Sequence, residues 1–91
     1  MSNLIIYSSS AGGSQITHHT LWLEQRVNAL AGECSIVYVD TDPSVDKKKI
    51  WAISGKKGVY PLLFKGDTFI GDFEQCKELN ECELLQNKLK D

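Results

Sequence analysis

The chain is 91 residues long, which leaves room for one domain, because hydrophobic cores divide only at greater lengths. Apolar residue types make up 42% and charged types 24%, as in folded soluble domains and unlike disordered, collagenous or low-complexity chains. Ten basic residues against twelve acidic ones give a net charge of -2, which argues against duplex nucleic acid as a partner, since that binding depends on many cationic contacts with phosphate.

Asn3-Leu4-Ile5-Ile6-Tyr7 is short, apolar and rich in β formers, and a Ser/Gly cluster ends it, which predicts a buried strand. After the loop Ser8-Ser9-Ser10-Ala11-Gly12-Gly13, Ser14 is the expected N-cap of a helix. Its Ile16, Thr20, Leu23, Val27 and Leu30 recur at alternating spacings of four and three, up to Gly32. Ser35-Ile36-Val37-Tyr38-Val39 is β-branched and aromatic, a second strand closed by the turn residues Asp40-Thr41-Asp42-Pro43. Pro43 suits the first turn of a short helix capped by Asp42, with Ile50, Trp51 and Ile53 apolar and Gly55 as the stop. Residues 59–65 and 68–70 are β-prone runs joined by Gly66-Asp67, which predicts a tight antiparallel hairpin. Beyond Gly71, Asp72 is the expected cap of a helix that turns Phe73, Cys76, Leu79, Leu84, Leu85 and Leu89 inward, with a break near Asn80.

The order is β-α-β-α-β-β-α over a single domain, residues 1–91. Strands joined by a helix are almost always parallel, and the hairpin adds an antiparallel strand at one side. The expected fold is therefore α/β and thioredoxin-like (glutaredoxin-like), a four-stranded mixed sheet with helices on both faces. No apolar run approaches the roughly 20 residues that cross a bilayer, and the N-terminus lacks the charged and apolar regions of a signal peptide, so no membrane span is expected. Cys34, Cys76 and Cys82 fit neither a disulfide framework nor a zinc finger, which points to free thiols in a reducing, cytoplasmic location.

Redox members of this fold carry Cys-x-x-Cys between the first strand and first helix, where the helix start lowers a thiol pKa. The corresponding loop here has no cysteine. A serine hydroxyl cannot form the disulfide, so dithiol oxidoreductase activity is not expected. The loop keeps glycines that permit close backbone approach and free amides at a helix start. Pro61 opens a strand, a place where its missing amide hydrogen is tolerated.

Lys47, Lys48, Lys49, Lys56 and Lys57 fall within eleven positions, while Asp72, Glu74, Glu78, Glu81 and Glu83 crowd the last helical region. The surface is therefore electrically lopsided, either as solvated helix faces or as a means of orienting a charged partner. His18 and His19 diverge by about 100° on a helix and cannot easily share a metal ion, so no metal site is assigned. Trp22 and Trp51 are read as packing residues.

Tyr7 with Ser8-Ser9-Ser10, Leu23-Glu24, Asp40, Lys49-Ile50-Trp51, Gly58-Val59-Tyr60-Pro61 and Phe69-Ile70-Gly71-Asp72-Phe73 stand in an order and spacing that resembles the SH3-domain-binding glutamate-rich protein family. The resemblance covers nearly the whole chain. It implies a cysteine-poor branch of the glutaredoxin-like group that has lost catalysis and serves as a small adaptor or modulator of other proteins. Resemblance to thioredoxin-like proteins further implies a cis Tyr60-Pro61 bond facing the start of the first helix, beside backbone that pairs with peptide-like ligands. SH3 binding is not carried over. An SH3 ligand presents Pro-x-x-Pro, whereas the only prolines here are Pro43 and Pro61.

The leading expectation is a non-catalytic, protein-binding molecule without a cofactor, using Ser10, Gly12, Gly13, Ser14, Tyr60 and Pro61, extended by Gly71 and Asp72. The alternative is a glutathione-binding protein or weak glutathione-dependent transferase. There Tyr60-Pro61 pairs with the tripeptide, Asp72 or Glu74 meets its α-amino group, and a loop serine polarises a thiolate. A third class, a redox sensor using one of the cysteines, finds no support in their spacing.

Overall fold

In the computed structural model, which describes residues 3–11, 13–55 and 58–90, the first apolar run forms strand β1, Leu4–Ser8. Its residues alternate as a strand's must: Leu4, Ile6 and Ser8 are buried on one face, and Ile5 and Tyr7 are half-buried on the other. Helix α1 (Gly13–Ala31) buries Thr20, Leu23 and Val27. Strand β2 (Ser35–Tyr38) pairs parallel with β1. Helix α2 (Lys47–Ser54) leads to strand β3 (Leu62–Lys65), antiparallel to β1, and strand β4 (Thr68–Asp72), antiparallel to β3. The sheet order is β2-β1-β3-β4, and helices α3 (Phe73–Glu81) and α4 (Leu85–Lys90) close the chain. The architecture is the α/β, thioredoxin-like one expected, with the last helical region divided in two.

Two cores flank the sheet. Leu4, Ile6, Leu23, Val27, Leu63 and Cys76 pack on the side of α1, α3 and α4. Val39, Ile50, Leu62 and Phe64 pack on the side of α2.

Element ends differ from expectation for local reasons. β1 extends through Ser8, whose Oγ shares a 2.7 Å hydrogen bond with Thr20 Oγ1 inside the protein. α1 begins at Gly13, so Ser14 is its second residue rather than its N-cap. α2 is capped by Asp46, whose Oδ1 accepts from the Lys49 amide at 3.2 Å. Asp42, the expected cap, instead accepts from the amide and hydroxyl of Ser44 at 2.9 and 2.6 Å, a turn that delays the helix past Pro43. β2 stops at Tyr38 and β3 starts only at Leu62, the residue paired with Tyr7, because Pro61 has no amide hydrogen to extend the ladder.

The break after Asn80 is a Schellman turn: the Glu83 amide donates to the Asn80 carbonyl and the Leu84 amide to the Leu79 carbonyl. Leu84 is thereby turned outward, 47% exposed, against the expectation that it faces the core. Glu83 holds φ at 60°, the left-handed conformation that glycine adopts without strain. Glu83→Gly should therefore stabilise the protein by about 1 kcal/mol. Urea denaturation would read this as a higher midpoint, and an unchanged or lower midpoint would contradict the strain.

Candidate functional site

The strand register gathers the chemistry-bearing loops at one end of the sheet. Ser8 lies opposite Tyr38, Tyr7 opposite Leu62, and Leu62 opposite Asp72. The loop after β1, the Val39-Asp40 segment, Tyr60-Pro61 and the Asp72-Phe73 corner therefore share that end, where α/β proteins form ligand sites.

The organising group there is Asp40. Its Oδ1 accepts from the Ser10 amide at 3.1 Å, and its Oδ2 from the Ser10 hydroxyl at 2.8 Å and the Ser9 hydroxyl at 3.4 Å. The Val39 amide donates to the Ser8 carbonyl at 3.0 Å, which sets Asp40 beside the loop. The Ser10 amide, then the Ser10 hydroxyl, hold the Asp40 carboxyl below its ordinary pKa. Two consequences follow. The Ser10 hydroxyl proton is already directed at a carboxylate, and a fixed negative charge stands beside the loop, which disfavours a thiolate there. Asp40 was missing from the candidate residues because the contact spans 30 positions and an aspartate after a strand reads locally as a turn residue.

A group whose folded pKa is lowered contributes stability above its unfolded value and loses it as pH falls through the folded one. The Ser10 amide should accordingly stay protected from exchange at pH 6 and lose protection below about pH 4. In Asp40→Asn it should exchange about tenfold faster at pH 6, since a neutral acceptor makes the weaker bond. Equal exchange in the two proteins would contradict the clamp.

Of the remaining candidates, Gly12 lies outside the described residues. Gly13 opens α1 with φ at 80°, which favours glycine at that position. Ser10 and Ser14 are exposed. The Tyr60-Pro61 bond is cis, Pro61 is buried, and the Tyr60 hydroxyl accepts from Trp51 Nε1 at 3.2 Å. Val59 beside it is 39% exposed. Among the described residues no backbone hydrogen bond engages the Val59 or Tyr60 main chain.

Gly71 and Asp72 have structural duties. A Cβ on Gly71 would stand 3.0 Å from the Gln75 Cβ and 3.4 Å from Cys76 Sγ, so a larger residue there would press on the first turns of α3. Asp72 Oδ1 accepts from the Gln75 amide at 2.8 Å while Gln75 Oε1 accepts from the Asp72 amide at 3.0 Å, a capping box. Phe73 next to it stacks on His19 at 3.7 Å and 2° and meets Trp22 edge-on at 5.4 Å, which ties α3 to α1. This aromatic bridge was not foreseen, because nothing local pairs residues on separate helices.

The cysteines are dispersed. Cys76 is buried, and burial first, then Asp72, pushes its thiol up to about 12. Cys34 is half-buried and also raised, by burial and then Glu24, while Cys82 is exposed. Among the described residues no cluster of three or more His, Cys, Asp or Glu could hold a metal ion, and no helix is long and apolar enough to cross a membrane. Lys47, Lys48 and Lys49 stand exposed on the first turn of α2, while Lys56 and Lys57 lie outside the described residues.

No protein-family model matches the chain, and no curated protein sequence matches it. Solved structures do. Actin interacting protein Aip5 of C. albicans matches with a TM-score of 0.81 at 25% identity, over 97% of this chain and 88% of that one. A buckwheat glutaredoxin in complex with glutathione matches with a TM-score of 0.72 at 18% identity, over 97% and 76% of the two chains. The holo form of glutaredoxin C1 from Populus tremula x tremuloides matches with a TM-score of 0.71 at 20% identity, over 99% and 85%. The chain has a glutaredoxin-like fold.

Proposed function

We propose that this chain is a protein-contact module on a glutaredoxin-like scaffold, a small cytoplasmic adaptor or modulator akin to the SH3-domain-binding glutamate-rich proteins, without dithiol oxidoreductase activity. The observation that carries the reading is the Asp40 clamp: a carboxylate bonded to Ser10 through both amide and hydroxyl, where redox relatives of this fold place their thiols. The contact surface is the sheet end around Ser10, Val59, Tyr60 and Pro61, with the Asp72 corner as its rigid side. The similarity to an actin-interacting protein over nearly the whole chain supports an actin-associated partner. Co-sedimentation with filamentous actin tests this. The expected result is saturable binding that weakens about tenfold in Val59→Asp, a loss of the size seen at interface anchors. Absence of the protein from the filament pellet at every actin concentration would remove actin as the partner.

A second reading, glutathione binding without turnover, is favoured by the unengaged Val59 and Tyr60 main chain and by the match to a glutaredoxin in complex with glutathione. In that reading Glu74, exposed on the first turn of α3, meets the α-amino group, since Asp72 is committed to its cap. Calorimetric titration with reduced glutathione decides it, because absence of heat at millimolar ligand would exclude the site.

A further inference from the structure

The sheet order leaves two edges, β2 and β4, and they are built differently. β4 is blunted: its register with β3 shifts between Leu63 and Phe64, Gly71 interrupts its side chains, and its last residue, Asp72, is bound into the cap of α3. β2 has none of these features. Ser35-Ile36-Val37-Tyr38 carries no charge and no proline, and its register with β1 is regular. Ser35 is exposed, Tyr38 is 42% exposed, and Ile36 and Val37 are half-buried. An edge of this composition is a template for a further strand.

The main chain fixes what this edge offers. The Val39 amide donates to the Ser8 carbonyl, and main-chain groups alternate in direction along a strand, so Ser35 and Val37 face β1 while Ile36 and Tyr38 face outward. The Tyr38 carbonyl is closed, because it accepts from the Thr41 and Asp42 amides at 3.2 and 3.0 Å. The Ile36 amide and carbonyl and the Tyr38 amide have no partner among the described residues. An antiparallel strand centred on Ile36 engages all three. β2 of a second copy fits that place: about a two-fold axis at Ile36 the two Ile36 residues exchange amide-to-carbonyl bonds, and each Tyr38 amide meets the other copy's Cys34 carbonyl. The same register sets Val37 against Ser35, Glu33 against Val39 and Asp40 against Gly32, so no like charges oppose each other across the axis. We infer that this chain forms a two-fold dimer through β2, which joins two four-stranded sheets into one. Tyr38 and Ile36 pair with Ser8 and Ile6 and so lie on the α1 face, where each Tyr38 ring covers the other copy's half-buried Cys34. The two sheet ends that carry Ser10 and Tyr60 then point in opposite directions. The dimer rests on the sheet edge alone and on neither the actin nor the glutathione reading.

Sedimentation equilibrium of the full chain tests the assembly. A pairing this short buries less than the roughly 1,200 Å² of a standard interface, so the dimer should be weak, half-formed on the order of 100 µM. The mass should rise from one chain toward two between about 10 µM and about 1 mM, a range that brackets that midpoint. In a mixture of isotope-labelled and unlabelled protein, the α-protons of Ser35 and Val37 should show a mutual Overhauser effect between copies, since residues at such a non-hydrogen-bonded pair lie closest. Tyr38→Lys and Ser35→Lys, both surface changes, should each weaken the dimer about tenfold while leaving the urea midpoint of the dilute protein within the small range of surface substitutions. A mass of one chain at every concentration, intermolecular contacts at residues 68–70 instead, or a dimer that both lysine variants leave unchanged would each overturn the inference. None of these results involves actin or glutathione, so this proposal and the functional one fail separately.

Discussion

Phe64→Ala should destabilise the protein by about 3–5 kcal/mol, the range for emptying a buried aromatic site. Phe64 is 2% exposed on central strand β3, with its ring 5.2 Å from Tyr7 at 87° and 5.5 Å from Phe69 at 53°. Such edge-on and tilted pairs add to the burial itself. The α2 face has one eight-residue helix to close over the cavity, so little of the loss is recovered by collapse. A domain this small has a total stability of about 5–15 kcal/mol, and the variant should populate unfolded chain at 37 °C. The consequence reaches the candidate site, because Pro61 precedes β3 directly and is positioned by it. Equilibrium urea unfolding checks this, and a loss below about 1 kcal/mol would mean that the aromatic cluster is not a core.

The second large effect concerns the thiols. Alkylation by iodoacetamide at pH 8 should modify Cys82 first, Cys34 next, and Cys76 only as the protein unfolds, at a rate about a thousandfold or more below that of Cys82. The thiolate is the reacting form, and at Cys76 the buried surroundings disfavour it while also excluding the reagent. The same shift has a stability consequence whose sign is fixed. The Cys76 pKa is raised in the folded state, so its contribution is intact below the ordinary thiol value and is lost as pH rises from there toward about 12. Urea midpoints should fall through that window, and less so in Cys76→Ala. Fast modification of Cys76 in the folded protein would contradict the buried position of the β4–α3 junction.

The fold was legible where the chain's signals are local and repeated. The period of α1, the Gly66-Asp67 hairpin and the Asp72 cap are short-range patterns, and each lies where its residues indicate. Asp42 was the expected cap of α2, but its carboxylate is taken by the Ser44 turn and Asp46 caps the helix instead. Leu84 looked like core from its company of leucines, but the Schellman turn rotates it out. The candidate site was half legible. Ser10, Tyr60, Pro61 and Asp72 do meet at one end of the sheet, yet the group that governs Ser10 is Asp40, brought there by parallel pairing of β1 and β2. A contact across 30 residues leaves no trace in local composition. The same holds for Phe73 on His19, and for the half-open α2 face, which follows from a helix length rather than from any motif.

We propose that the loop after β1 serves as a clamped scaffold for contacts with other proteins and not as a redox centre. Its most direct test is the glutathione-dependent reduction of a mixed disulfide of glutathione and hydroxyethyl thiol, followed through NADPH consumption by glutathione reductase. The account predicts a rate equal to the protein-free blank at every protein concentration. A rate that rises in proportion to added protein would contradict it, and its disappearance in Cys82→Ser would identify the thiol responsible.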